Sequence, residues 1–187
     1  MTSIDAVAHK YRVLNCGHLA HGLAALLSAA EANALSYLDL VEQLVDLELQ
    51  GRETNRLAAN LRKAGFPVIK RLEEFDYRHQ TTITKRQVSQ LLDFRFLDER
   101  ANLVFIGPPG VGKTHLAVGI GLKALAAGYK VLFTTALALV ETLELAELRG
   151  ELKKKIAALL KFDLLIIDEL GYLPMNRQGL YNLFQLI

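Results

Sequence analysis

With 187 residues, 51% of them hydrophobic and 22% charged, the chain is long and apolar enough to bury a core, which excludes a disordered segment and fits one domain with a sizeable appendage. Its longest apolar stretches, such as Leu23 to Ala30 and Leu164 to Ile167, fall far short of the ~20 residues that cross a bilayer, so no membrane span is expected. The single cysteine, Cys16, excludes an internal disulfide and a thiolate metal site, and its expected role is packing in a helix.

Met1 to Tyr11 lacks the basic start, apolar block and small-residue cleavage site of a secretory leader, and the expectation is a cytoplasmic protein. The formal charge of +2 is unevenly spread: residues 1–49 carry two basic and six acidic side chains, residues 51–100 eleven and seven, and residues 101–187 nine and seven. A basic segment at 51–100 is the footprint of a surface that meets phosphate, with DNA the candidate partner, although a solvated helix face has the same composition.

From Gly17 to Gly65 apolar residues recur at helical spacing, with Leu19, Leu23, Leu26 and Leu27 on one stripe and Leu40, Val41, Leu44 and Val45 on another. Two or three helices follow. Ser36 with Asp39 reads as an N-terminal cap, and Gly65 followed by Pro67 as a stop. Between Phe66 and Ile83 the periodicity fades into a connector, and the domain boundary is placed near residue 70, giving a helical domain over 1–70 and a second domain over 71–187. Thr84 and Gln87 make a capping box ahead of a helix containing Val88, Leu91 and Leu92.

From Asn102 the pattern changes. The apolar run Leu103 to Ile106 predicts a strand, then come glycines and a helix from about Lys113 to Ala127, stopped by Gly128. Val131 to Thr134 predicts a second strand, Glu141 to Leu160 lies in a helical stretch, and Leu164 to Ile167 predicts a third strand. Uniformly apolar strands alternating with helices describe a parallel α/β sheet covered on both faces.

Gly107-Pro108-Pro109-Gly110-Val111-Gly112-Lys113-Thr114 satisfies the P-loop pattern in the context it requires, after a strand and opening a helix. Its glycines let consecutive backbone N–H groups approach an anion near a helix N-terminus, Lys113 adds charge beside the β and γ phosphates, and the Thr114 hydroxyl can ligate Mg²⁺. A glycine-rich turn alone does not require the Lys-Thr pair. Asp168 and Glu169 end an apolar strand at the edge where parallel sheets bind ligands: Asp168 is the expected Mg²⁺ ligand through water, and Glu169 the carboxylate that orients attacking water. ATP with Mg²⁺ is the cofactor these residues imply. Lys153-Lys154-Lys155 has the composition of a nucleic-acid contact or of a solvated face, and His9, His18, His21, His79 and His115 show no metal-site spacing.

Residues 107–117, Gly-Pro-Pro-Gly-Val-Gly-Lys-Thr-His-Leu-Ala, and 163–174, Asp-Leu-Leu-Ile-Ile-Asp-Glu-Leu-Gly-Tyr-Leu-Pro, together resemble the IstB family, as do Leu72 to Tyr77 and the basic helix around Arg52 to Lys63. These are ATP-binding helpers of insertion-sequence transposition, of the AAA+ class and similar to DnaC-like helicase loaders. The resemblance implies ATP-dependent assembly on DNA, contact with a transposase and homo-oligomers of the full-length protein. A helicase loader, or a non-catalytic remnant binding partners through its helical domain, shares much of the pattern. Family members continue with a fourth strand bearing a polar sensor, a fifth strand and an arginine finger, whereas this chain ends at Ile187. It therefore reads as a C-terminally truncated copy, in which strands 103–106 and 163–168 lose their common neighbour and ATP turnover is slow or absent.

Overall fold

The structure is a computed structural model, and it describes residues 3–78, 82–172 and 177–186. His79 and the Leu173-Pro174 end of the family motif lie outside the described residues. The chain divides into two compact units, Met1–Ala58 and Ala59–Ile187.

The first unit holds helices α1 (Ile4–Val13) and α2 (Gly17–Ala32) and most of α3 (Tyr37–Ala64). α1, which apolar spacing does not announce, starts where the Ser3 hydroxyl accepts the Ala6 N–H at 3.2 Å. Ser36 and Asp39 cap α3 reciprocally: the Ser36 Oγ accepts the Asp39 N–H at 3.2 Å, and the Asp39 carboxylate accepts the Ser36 N–H at 3.3 Å. Ala8, Leu19, Ala20 and Leu23 form the buried cluster, with Leu27, Leu44 and Cys16 packed against it. Val41 and Val45, by contrast, lie with Tyr37, Leu38 and Leu49 on an exposed apolar stripe of α3.

Cys16, the residue before α2, offers no side-chain cap. Glu48 of α3, a residue only 7% exposed, supplies it from across the first unit: its carboxylate accepts the Leu19 N–H at 2.9 Å and the Arg52 Nε–H at 2.8 Å. Arg52 also donates to the Asn15 carbonyl at 2.9 Å. A buried carboxylate is tolerated because both oxygens are bonded.

The second unit begins inside α3, ahead of residue 70, because the end of that helix belongs to the second core: Ala64 is fully buried there and Phe66 packs on Phe133. The segment expected as a connector likewise puts Leu72 and Phe75 into this core around a short 3₁₀ turn, Leu72–Glu74. α4 (Lys85–Leu91) starts at the Thr84–Gln87 capping box, and α5 (Arg95–Asp98) follows. α6 (Lys113–Ala126) leads to β1 (Val131–Thr135), α7 (Ala136–Leu148), α8 (Leu152–Leu159), β2 (Leu164–Asp168) and α9 (Arg177–Phe184). The helical stretch through 141–160 is two helices because Gly150 takes the left-handed region at φ +70°.

β1 and β2 pair in parallel, from Val131 opposite Leu164 to Thr135 opposite Asp168. Alternate residues serve opposite faces: Val131, Phe133 and Ile166 belong to one buried cluster with residues of α6, while Leu132, Leu165 and Ile167 belong to another with Leu139, Leu143, Leu159 and Leu183. The parallel α/β layering is as expected.

One expected strand is absent. Residues 103–106 form no ladder, and Val104 and Ile106 are 67% and 91% exposed. A strand exists through its neighbour's hydrogen bonds, and among the described residues the sheet has two strands, β1 and β2. Apolar composition without a partner leaves this segment with no regular structure, and the sheet is not closed.

The Glu48 cap makes the first unit acid-sensitive. The Leu19 N–H, and after it Arg52, hold the Glu48 carboxyl below its ordinary value. A carboxyl depressed by folding contributes fully above its unfolded value of about 4.3 and loses that contribution as pH falls through the lower folded value. Thermal unfolding of Glu48→Gln followed by circular dichroism should show a lower midpoint at neutral pH and a shallower fall on acidification than the wild type. Parallel acid profiles would remove Glu48 from this role.

Candidate nucleotide-binding site

Residues 101–108 carry no regular structure, a turn occupies 109–112, and α6 starts at Lys113. Gly110 and Gly112 sit at φ +82° and +88°, a region that costs an L side chain roughly 1–2 kcal/mol. Gly112 is the residue before α6, so the glycine spacing of the motif is a backbone requirement. Pro108 and Pro109 carry no N–H, and the N–H groups of Gly107, Gly110, Val111 and Gly112 donate to no backbone carbonyl among the described residues, which leaves the three consecutive donors of 110–112 for an anion.

The Lys113 ammonium spans the loop, donating to the carbonyls of Gly107 at 2.8 Å and Pro108 at 2.7 Å. Pro109 lies in the turn, and Val111 packs 3.4 Å from the position a Gly107 Cβ would take. The Thr114 hydroxyl, one residue on, donates to Asp168 Oδ2 at 2.8 Å, joining residues distant in sequence. Asp168 closes β2 and its other oxygen accepts the Glu169 N–H at 2.9 Å. Glu169 itself takes a left-handed backbone at φ +61° and is exposed beside Asp168. An αL non-glycine residue turns the chain sharply off the strand end, and its N–H bond to Asp168 helps hold that turn.

The predicted phosphate loop and acidic pair thus meet at the carboxyl end of the sheet. The donor set fits a magnesium nucleotide: loop amides and Lys113 for phosphate oxygens, and the Thr114 hydroxyl beside the Asp168 carboxylate for a hard cation.

A family model described as IstB-like ATP binding protein matches residues 9–187. The chain belongs to that family. It is 36% identical over 169 residues to a protein named as the ATP-binding protein of insertion sequence IS5376 in Geobacillus stearothermophilus, spanning 90% of this chain and 67% of that one. It is also 36% identical over 174 residues to the one named for IS21 in Pseudomonas aeruginosa, spanning 93% and 66%. A third, named for IS232 in Bacillus thuringiensis subsp. berliner, is 37% identical over 155 residues, spanning 83% and 62%. The chain therefore spans about two thirds of the length of these curated relatives.

The IstB-like site has neighbours that motif spacing does not announce. Phe75 stacks edge-on to His115 at 5.2 Å, and His115 Nε2 donates to the Arg71 carbonyl at 2.7 Å. The visible sign is that Leu72, Phe75 and Tyr77 are apolar within an otherwise charged stretch. No cluster of three metal-ligating side chains occurs among the described residues, and His18 instead pairs with Asn55 at 2.8 Å. No helix among the described residues is long and apolar enough to cross a membrane.

Removing the loop's cation should show directly in binding. Lys113→Ala is expected to weaken ATP binding in Mg²⁺ by ~1.5–3 kcal/mol, the worth of a charge-assisted contact. Titration calorimetry giving equal affinities for both proteins would displace Lys113 from the phosphate site.

Proposed function

We propose that this chain is the nucleotide-binding part of a helper of insertion-sequence transposition, which binds ATP with Mg²⁺, assembles on DNA and assists a transposase. The observation that carries the nucleotide reading is the 2.8 Å contact of Thr114 with Asp168, because it brings the hydroxyl at the end of the phosphate loop to the acid at the end of β2. Thr114 and Asp168 would hold Mg²⁺, which when bound neutralises developing phosphoryl charge, while Lys113 and the loop amides hold the phosphates. Glu169, exposed one residue beyond Asp168, is the carboxylate that orients water. Transposition is supported by the names of the relatives.

The DNA surface needs a sharper placement than charge counting provides. Arg52 is tied to Glu48, Arg56 makes two bonds to Glu53 at 2.8 and 2.7 Å, and Arg78 pairs with Asp76, so three arginines of the basic segment already face carboxylates. Arg62, Lys63, Lys70, Arg71, Lys85, Arg86, Arg95 and Arg100 make no ion pair among the described residues, and they are the cations that remain for phosphate. The exposed α3 stripe, from Tyr37 to Leu49, runs beside Glu42, Asp46 and Glu53, and supports contact with a basic, amphipathic segment of the transposase.

In fluorescence anisotropy with duplex DNA, replacing Arg62, Lys63 and Lys70 by Ala should flatten the dependence of log affinity on log salt by up to about 0.9 per residue. The pair Arg52→Ala and Arg56→Ala should change it less. A reversed order would place the DNA on the first unit. For the assembled full-length protein, Glu169→Gln should abolish ATP turnover in a phosphate-release assay while leaving nucleotide bound; undiminished turnover would assign the water-orienting role elsewhere.

A further inference from the structure

We infer that Phe75 is a positioning residue for the phosphate loop, held in place by His115, and that it acts on phosphate affinity without touching the nucleotide. This rests on the nucleotide reading of 107–114. The loop's last glycine, Gly112, turns the chain into α6 at φ +88°. A Cβ at Gly112 would lie 2.6 Å from Phe75 Cε2 and 3.3 Å from Cζ, so the ring backs the turn with no room between them. If that backing is lost, the turn that presents the neighbouring amides is free to shift, and ~1 Å of misplacement is enough to cost a large factor in a pre-organised site.

The ring is itself fixed. Tyr77 meets it edge-on at 4.8 Å and 68°, and His115 at 5.2 Å and 86°. The segment that carries it is tied to α6 at three places: His115 to the Arg71 carbonyl at 2.7 Å, Gly119 against Leu72 with a would-be Cβ at 2.5 Å, and Lys123 to Glu73 at 2.6 Å. Positions 115, 119 and 123 recur every four residues and so share one face of the helix. Residues 71–77 are therefore laid along that face as a strap, with its aromatic end beneath the phosphate loop.

Two ligands separate this role from base stacking: ATP and inorganic pyrophosphate, each with Mg²⁺, titrated calorimetrically into the full 187-residue chain below the unfolding midpoint of each variant. Phe75→Ala should weaken both ligands by a similar factor, roughly tenfold or more, because the shared phosphate contacts are what it disturbs. Phe75→Leu, which refills most of the volume, should recover most of the loss for both. His115→Ala keeps α6 helical and should reproduce the loss in milder form if Phe75→Ala proves too unstable to titrate. Weaker ATP with unchanged pyrophosphate would make Phe75 a base contact, and unchanged affinity for both would make it ordinary core; either result overturns the inference. Failure of the wild type to bind either ligand would instead overturn the nucleotide reading on which it rests.

Discussion

The parallel pairing of Val131–Thr135 with Leu164–Asp168 is the constraint to which the second unit is referred. Period-two alternation sends one set of side chains to α6 and the other to α7, α8 and α9, so a single register decides both cores. The same register places Asp168 level with Thr135 at the carboxyl end of the sheet. A shift of β2 by one residue would turn Ile166 out of the α6 core while Phe133 stayed, and would withdraw Asp168 from Thr114. Packing and chemistry are thus set by one set of hydrogen bonds.

The first unit is organised by a polar group in a comparable way. Glu48 satisfies a helix end that Cys16 cannot cap, and Arg52 satisfies Glu48 in turn. This network engages part of the basic charge counted along 51–100. Arg52 and Arg56 serve the fold and their own helix, whereas Arg62, Lys63 and Lys70 remain without acidic partners among the described residues. The division of labour within one long helix follows from Glu48 and Glu53 lying four and three residues before those arginines.

Membership of the IstB-like family and the meeting of Thr114 with Asp168 converge on nucleotide binding from independent directions. The loop holds amides and a cation, the end of β2 and the residue after it hold Asp168 and Glu169, and Phe75 backs the loop from outside the motif. Gly110 and Gly112 take the left-handed turn ahead of α6, and residues 103–106 before them form no ladder.

What the sequence by itself determined is what neighbouring residues decide among themselves. The Ser36–Asp39 and Thr84–Gln87 caps, the stop at Gly65 and the glycines of the phosphate loop depend on residues a few positions apart, and each is found where spacing put it; strands β1 and β2 also lie where their apolar runs are, through pairing with each other. Leu103 to Ile106 has the same apolar composition as those strands yet forms none, because pairing depends on a neighbour far along the chain. The tertiary structure alone decided that Glu48 caps α2, that Arg52 reaches the Asn15 carbonyl, and that Phe75 lies under Gly112. Each is a contact whose energy comes from groups brought together by folding, and no local pattern of residues encodes which distant group will arrive.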